Sequence, residues 1–269
     1  MEFIDTHCHL NLFQDQNDLK LAIQRSLDSG VSKIVVPGID VPSSRRAVEL
    51  TDVFASVFAA VGIHPNEVTN VADKDIEVIE ELAALPKVVA IGEIGLDYHY
   101  PPINKAAQFS LLKRMLEISN NVNKPIILHS RDSIADLIEM IQDCELTQKL
   151  TYPRQESFHG VFHSFEGSIS DALLLRKLRY LIGIGGPVTF KNNIQLQGLI
   201  KSMGLENIVL ETDSPFLSPH PFRGLQNEPS RIPLIAQKVA DLLEIQVELV
   251  ADTTTLNANN IFLWNDQIV

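Results

Sequence analysis

Short, nearly unbroken apolar runs alternate along this chain with longer stretches in which apolar residues recur every three or four positions. Eight such runs stand out: Glu2 to His7, Lys33 to Gly38, Ser56 to His64, Lys87 to Gly95, Pro125 to Ser130, Gly160 to Phe165, Tyr180 to Gly186 and Asn207 to Asp213. Apolar runs of strand length without polar alternation are what a parallel sheet covered on both faces requires. Between them, Leu19, Ile23 and Leu27, then Ile76, Ile79 and Leu82, then Phe109, Leu112, Met115 and Leu116 fall at helical spacing. Eight strand–helix units in about 250 residues predict an α/β fold, a TIM (β/α)8 barrel, as a single domain over residues 1–269. A doubly wound sheet would not need a polar residue at the end of nearly every strand.

Those polar residues carry the chemistry. In a barrel of this kind the functional side chains sit at the C-terminal strand ends. The first run ends in His7 and His9, the fourth in Glu93, the fifth in His129, the sixth in His163 and the eighth in Asp213. Side chains two apart in extended chain project the same way, so His7 and His9 can grip one ion while Cys8 points oppositely. Imidazole and carboxylate without thiolate suit zinc, manganese or magnesium. Six ligands exceed what one catalytic ion with an open position uses and match two neighbouring divalent ions, which predicts hydrolysis. His99, His159 and His220 are expected to lie outside the set.

Composition narrows the setting. Hydrophobic residues make up 45% and charged residues 21% of the chain, which excludes a disordered or disulfide-scaffold class. The apolar runs are far shorter than the roughly 20 residues of a membrane helix. The N-terminus lacks a basic region followed by an apolar core, so no export is expected. Two distant cysteines, Cys8 and Cys144, fit a reducing compartment, and the cytoplasm is the expected location.

Taken together, "DTHCHL", "VGIHPNEV", "IGEIGLDY", "ILHSRD", "FHSFEGS", "IGIGG" and "ETDSP…RGLQNEP" resemble the TatD family of metal-dependent hydrolases, from Phe3 to about Phe262. The resemblance implies a TIM barrel, a site for divalent metals and, from its best-known members, a magnesium-dependent deoxyribonuclease. It implies His7, His9, Glu93, His129, His163 and Asp213 as metal ligands. Glu93 would bridge, and Asp213 would also orient or deprotonate the attacking water. His64 would contact the scissile phosphate or protonate a leaving group; its blander alternative is a capping or loop-packing role. Asn66 stands where the family loop has a second histidine. Arg131 and Arg223 are candidate phosphate ligands, with ion pairs to Asp97 or Glu228 as the alternative. The step from His129 to His163 is longer than usual in the family, with the excess in residues 145–159, which reads as a surface insertion. Gly183 to Gly186 reads as a strand end whose small residues leave room for substrate.

A net charge of −12 is unusual for a protein that binds nucleic acid. Two divalent ions against Glu93 and Asp213 nonetheless leave the site near +2, and a local field can outweigh net charge. No basic stripe with interleaved aromatics runs along the chain. The expectation is therefore weak, salt-sensitive binding of single-stranded DNA or ends. Two readings compete with the deoxyribonuclease: a metal hydrolase of an ester or amide, including an aminoacyl-tRNA ester, and a non-catalytic metal-stabilised binding protein. No membrane association or specific protein partner is inferred.

Overall fold

In a computed structural model, residues 1–146, 158–262 and 264 are described. Most of the expected insertion at 145–159 lies outside them. The eight strands are β1 (Phe3–Asp5), β2 (Val31–Pro37), β3 (Val57–Val61), β4 (Val88–Asp97), β5 (Ile126–Arg131), β6 (Gly160–Phe162), β7 (Tyr180–Ile184) and β8 (Ile208–Leu210). They form one sheet in the order β1 to β8. The paired registers are parallel. With helices between successive strands, this is a TIM barrel.

The helices are α1 (Gln16–Asp28), α2 (Val41–Val53), α3 (Asp73–Ala83), α4 (Lys105–Val122), α5 (Ile134–Leu146), α6 (Ile169–Lys177), α7 (Ile194–Met203), α8 (Ile232–Leu243) and α9 (Val247–Ile261). Their starts are written locally. Asp15 caps α1 by accepting from the amides of Asn17 and Asp18, and Asp40 and Ser43 form a reciprocal box at α2. Ile76 and Ile79 of α3 and Leu112, Met115 and Leu116 of α4 are buried, as their spacing predicts. Leu27 is not: it is exposed on α1, where Ala22 and Ser26 complete the inner face instead.

The chain divides into two compact units. One comprises residues 1–36 and 163–260 and contains β1, β7 and β8. There Phe3 pairs with Val31, Gly183 pairs with Val209, and every residue of β7 and β8 is buried. The other comprises residues 37–162 with the segment from Ile261 onwards. All ten residues of β4 are buried, and Trp264 packs edge-on against Phe58 with centroids 4.7 Å apart.

In this second unit Lys124 donates to the carbonyls of Ala83 and Leu85, tying the turn after α4 to the end of α3. Burial pushes its ammonium down to about 8. An unfolded lysine holds its proton to about 10.4. Between these values the unfolded chain binds more protons, so stability rises with pH across that window. Lys124→Met is expected to flatten the rise, read as urea midpoints at pH 8 and pH 10.

Candidate active site

Within the first unit, β1 stops at Asp5, yet extended backbone continues through a bridge between Cys8 and Ser214. The His9 amide donates to the Ser214 carbonyl and the Asp213 amide to the His7 carbonyl. This stitching aims the flanking imidazoles at one point. His7 Nε2 and His9 Nε2 lie 3.1 Å apart, and Asp213 Oδ1 lies 3.7 Å from the first and 3.5 Å from the second. Donors about 2.1 Å from an ion stand about 3.0 to 3.4 Å apart in octahedral or tetrahedral geometry. The edge between the two imidazole nitrogens lies in that range and the two edges to Asp213 exceed it by about 0.1 and 0.3 Å, so a small turn of the carboxylate would close the three donors on a divalent cation. Cys8, fully buried, takes no part.

Beneath the triangle sits a carboxyl that the sequence reading did not single out. Asp5 accepts from the Thr212 hydroxyl at 2.6 Å, the Thr212 amide at 2.9 Å and the His7 amide. Burial pushes its carboxyl well above the usual carboxylate range, against the pull of those bonds. These bonds join the end of β1 to the segment after β8 and hold His7 and Asp213 in place.

Glu211 is a second addition. It is fully buried, and its Oε1 accepts from the Ser164 amide at 2.5 Å and lies 3.7 Å from His163 Nδ1. Among the described residues its Oε2 has no hydrogen-bond partner. A buried carboxylate of this kind needs a cation or donors to offset its desolvation. His163 stacks on His7 with centroids 3.8 Å apart and planes 10° apart, so His7, His163 and Glu211 form a further donor set. The room at Gly183 is filled by this side chain and not kept for substrate: a Cβ there would overlap Glu211 Oε2, and one at Gly186 would overlap the Leu217 carbonyl. Gly183→Ala is expected to cost about 1–3 kcal/mol through overpacking, read as a lower urea midpoint.

Within the second unit, Glu93 lies inside β4 rather than at its end, because the strand runs on to Asp97. It sits where the pairing of β4 with β5 slips between Ile91 and Ile94, and its amide donates to the Gly38 carbonyl. Such slips re-aim a strand side chain. Glu93 Oε1 stands 2.8 Å from His129 Nδ1 and 3.6 Å from His64 Nε2. The other nitrogen of His129, Nε2, is 3.2 Å from Asp97 Oδ2. Asp97 is buried and also accepts from the His99 amide at 2.8 Å and Asn66 Nδ2 at 3.2 Å. Burial raises its pKa, but the bonds from His129, His99 and Asn66 outweigh burial and bring it down to about 2. With a cation held between Glu93 and His129, an ionised Asp97 would take the ring proton at Nε2 and leave the Nδ1 lone pair to the ion. This is the carboxylate–histidine arrangement that orients metal-binding imidazoles.

His64 is different. It caps the short turn Pro65–Asn70, its Nδ1 accepting from the Asn66 amide at 3.1 Å. A neutral imidazole that accepts at Nδ1 carries its proton at Nε2. The capping role therefore presents an Nε2–H donor beside Glu93. Asn66, by its amide and its side chain, serves both His64 and Asp97.

Neither arginine takes the ion pair offered as its alternative. Asp97 is engaged by His129, and Glu228 is gripped by Arg25, whose Nε and Nη2 donate to its two carboxylate oxygens. Arg131 lies over the Tyr100 ring at 5.0 Å and donates to its hydroxyl, and Arg223 lies over the Phe190 ring at 4.4 Å. Among the described residues neither has a carboxylate within salt-bridge distance, which leaves both guanidinium groups for an anion. His99 pairs with Asp132, and His220 packs near Phe190, and neither ring belongs to a donor set.

The sequence and the fold are similar to those of known proteins. Residues 4–263 match the family described as TatD related DNase. The chain belongs to the TatD family. The metal-dependent hydrolase YabD of Bacillus subtilis is 38% identical over 261 residues, covering 97% of this chain and 99% of that one. The crystal structure of YjjV, a TatD homologue from Escherichia coli, superposes with a TM-score of 0.87 at 29% identity, covering 97% of each chain. A TatD family hydrolase from Entamoeba histolytica has the same fold, with a TM-score of 0.83 at 21% identity over 98% of this chain. This TatD protein is thus a metal-dependent hydrolase. Among the described residues no helix is long and apolar enough to cross a membrane.

Proposed function

We propose that this TatD protein is a divalent-metal-dependent deoxyribonuclease that cleaves phosphodiester bonds of single-stranded DNA or DNA ends. The observation that carries the reading is that three histidine–carboxylate groups of metal-binding geometry, two of them sharing His7, occur in a chain whose two stacked arginines are left for phosphate. The family match supports DNA as the substrate class.

His7, His9 and Asp213 would hold one ion and Glu93 and His129 another, with His163 supplying a further imidazole. The donor chemistry accommodates zinc, manganese or magnesium. Divalent ions there would neutralise phosphate charge and bring the pKa of a coordinated water towards ~7. Asp213 accepts a proton from the attacking water at its carboxylate. His64 donates its Nε2–H to the phosphate or the departing oxygen. Arg131 and Arg223 bind flanking phosphates through their guanidinium forks. The expected setting is the cytoplasm, in keeping with two cysteines, Cys8 and Cys144, far apart in the sequence.

The test is metal-stripped protein on 5′-labelled single-stranded DNA, with Mg2+, Mn2+ or Zn2+ restored. A metal-dependent ladder is expected, and its pattern gives the polarity. Metal binding without cleavage would instead favour an ester or amide substrate, and metal binding without turnover on any substrate a binding protein.

A further inference from the structure

The segment after β8 carries apolar side chains on a tied loop. Asn227 donates to the carbonyl of Thr212 and through its amide to that of Pro215. Ser218 donates to the Leu225 carbonyl at 2.6 Å, and Arg231 donates to the Ser218 hydroxyl at 2.8 Å. The loop buries Ser214, Ser218 and Asn227 in this bonding while two of its rings face outwards. Phe216 is 52% exposed and Phe222 38%. Exposing large rings on an ordered loop opposes the hydrophobic effect, and exposed apolar surface beside a site marks binding.

Two features say what covers these rings. The Phe216 ring meets the His9 ring edge-on at 6.3 Å, so the patch is continuous with the His7, His9 and Asp213 triangle. It is also interleaved with cations: Arg231 lies over Phe222 at 4.4 Å, and Arg223, exposed and without a carboxylate partner among the described residues, lies over Phe190. Flat apolar rings beside guanidinium groups and a cation site are complementary to a polyanion that carries flat apolar bases. A lipid surface would call for a denser basic cluster than a chain of net charge −12 offers here.

We propose that Phe216 and Phe222 form a stacking subsite for the unpaired bases of a single nucleic-acid strand, with Arg223 holding its phosphate, next to the His9 end of the site. This rests on the phosphodiesterase reading and adds a reason for single-strand preference, since a base must be unstacked to reach either ring. The interleaving of aromatics with basic residues, not visible as a stripe in the sequence, is created by the fold of residues 213–231 around Phe190.

The experiment compares oligodeoxythymidylate with an abasic strand of the same length and phosphate number, by fluorescence anisotropy with Ca2+ present. The full chain is expected to bind the base-bearing strand at least about tenfold more tightly. Phe216→Ala and Phe222→Ala should each shrink that ratio severalfold by weakening the base-bearing strand, and Phe216→Trp should keep it. Equal affinity for the two strands, or equal weakening of both in the alanine variants, would overturn the subsite. So would a concentration-dependent dimer that Phe216→Ala abolishes while the base preference is unchanged, since the patch would then cover a second copy. Failure of the phosphodiesterase reading looks different: neither strand is cleaved with Mn2+ or Mg2+, whatever their relative affinities.

Discussion

Asp213→Asn is expected to lower kcat/KM for phosphodiester cleavage by roughly a thousandfold, about 4 kcal/mol of transition-state stabilisation, in a protein that remains folded. The fold should tolerate the change for local reasons. Asp213 sits at a φ of +55°, a left-handed conformation that asparagine accepts readily. Its amide bond to the His7 carbonyl belongs to the backbone and survives. What disappears is the negative charge facing His7 Nε2 and His9 Nε2, together with the carboxylate that accepts a proton from water. The amide offers a single neutral oxygen in its place. The measurement is kcat/KM with Mn2+ alongside a thermal melt; a melt like that of the parent protein with unaltered turnover would remove Asp213 from the site.

The eight strands were legible because each contains a short apolar run that the barrel buries, as in β4, β7 and β8, which are buried throughout. The ends were less so. The sequence presents Asp213 as a strand terminus, but β8 closes at Leu210, and beyond it Thr212 donates to Asp5 by amide and hydroxyl between the carboxylates of Glu211 and Asp213. Glu211 has no distinguishing mark in the sequence, because "ETD" offers no spacing that separates a buried carboxylate from a solvated one. Its one sequence trace is Gly183, a small residue kept where the Glu211 side chain must pass. Asp97 was legible only as a loop acid open to an arginine. Its true partner, His129, is 32 residues away, and they meet because β4 and β5 pair with Asp97 opposite Arg131. Residues that act through another side chain leave no periodic signal, whereas residues at strand ends do.

Asp97→Asn is expected to weaken metal binding at the Glu93 and His129 group by roughly 10- to 100-fold without unfolding the chain. The direction follows from hydrogen-bond bookkeeping around one side chain. The His99 amide can only donate, and it claims one carboxylate oxygen. An asparagine at 97 must therefore keep its carbonyl oxygen there and turn its NH2 towards His129 Nε2 and Asn66. Asn66 can flip its own amide to accept. His129 can accept only by moving its proton to Nδ1, the atom that faces Glu93. A proton on Nδ1 removes the lone pair needed for a cation, so the substitution acts through the tautomer rather than through lost contact. With the carboxylate at about 2 in the folded chain and ~3.9 unfolded, its ionised form dominates at every pH above ~4. The stability it contributes is likewise whole above ~4 and is lost as pH falls through about 2. The metal dissociation constant by chelator competition tests the affinity, and 15N shifts of the His129 ring report the tautomer. An unchanged constant with Nε2 still protonated would show that Asp97 does not position His129.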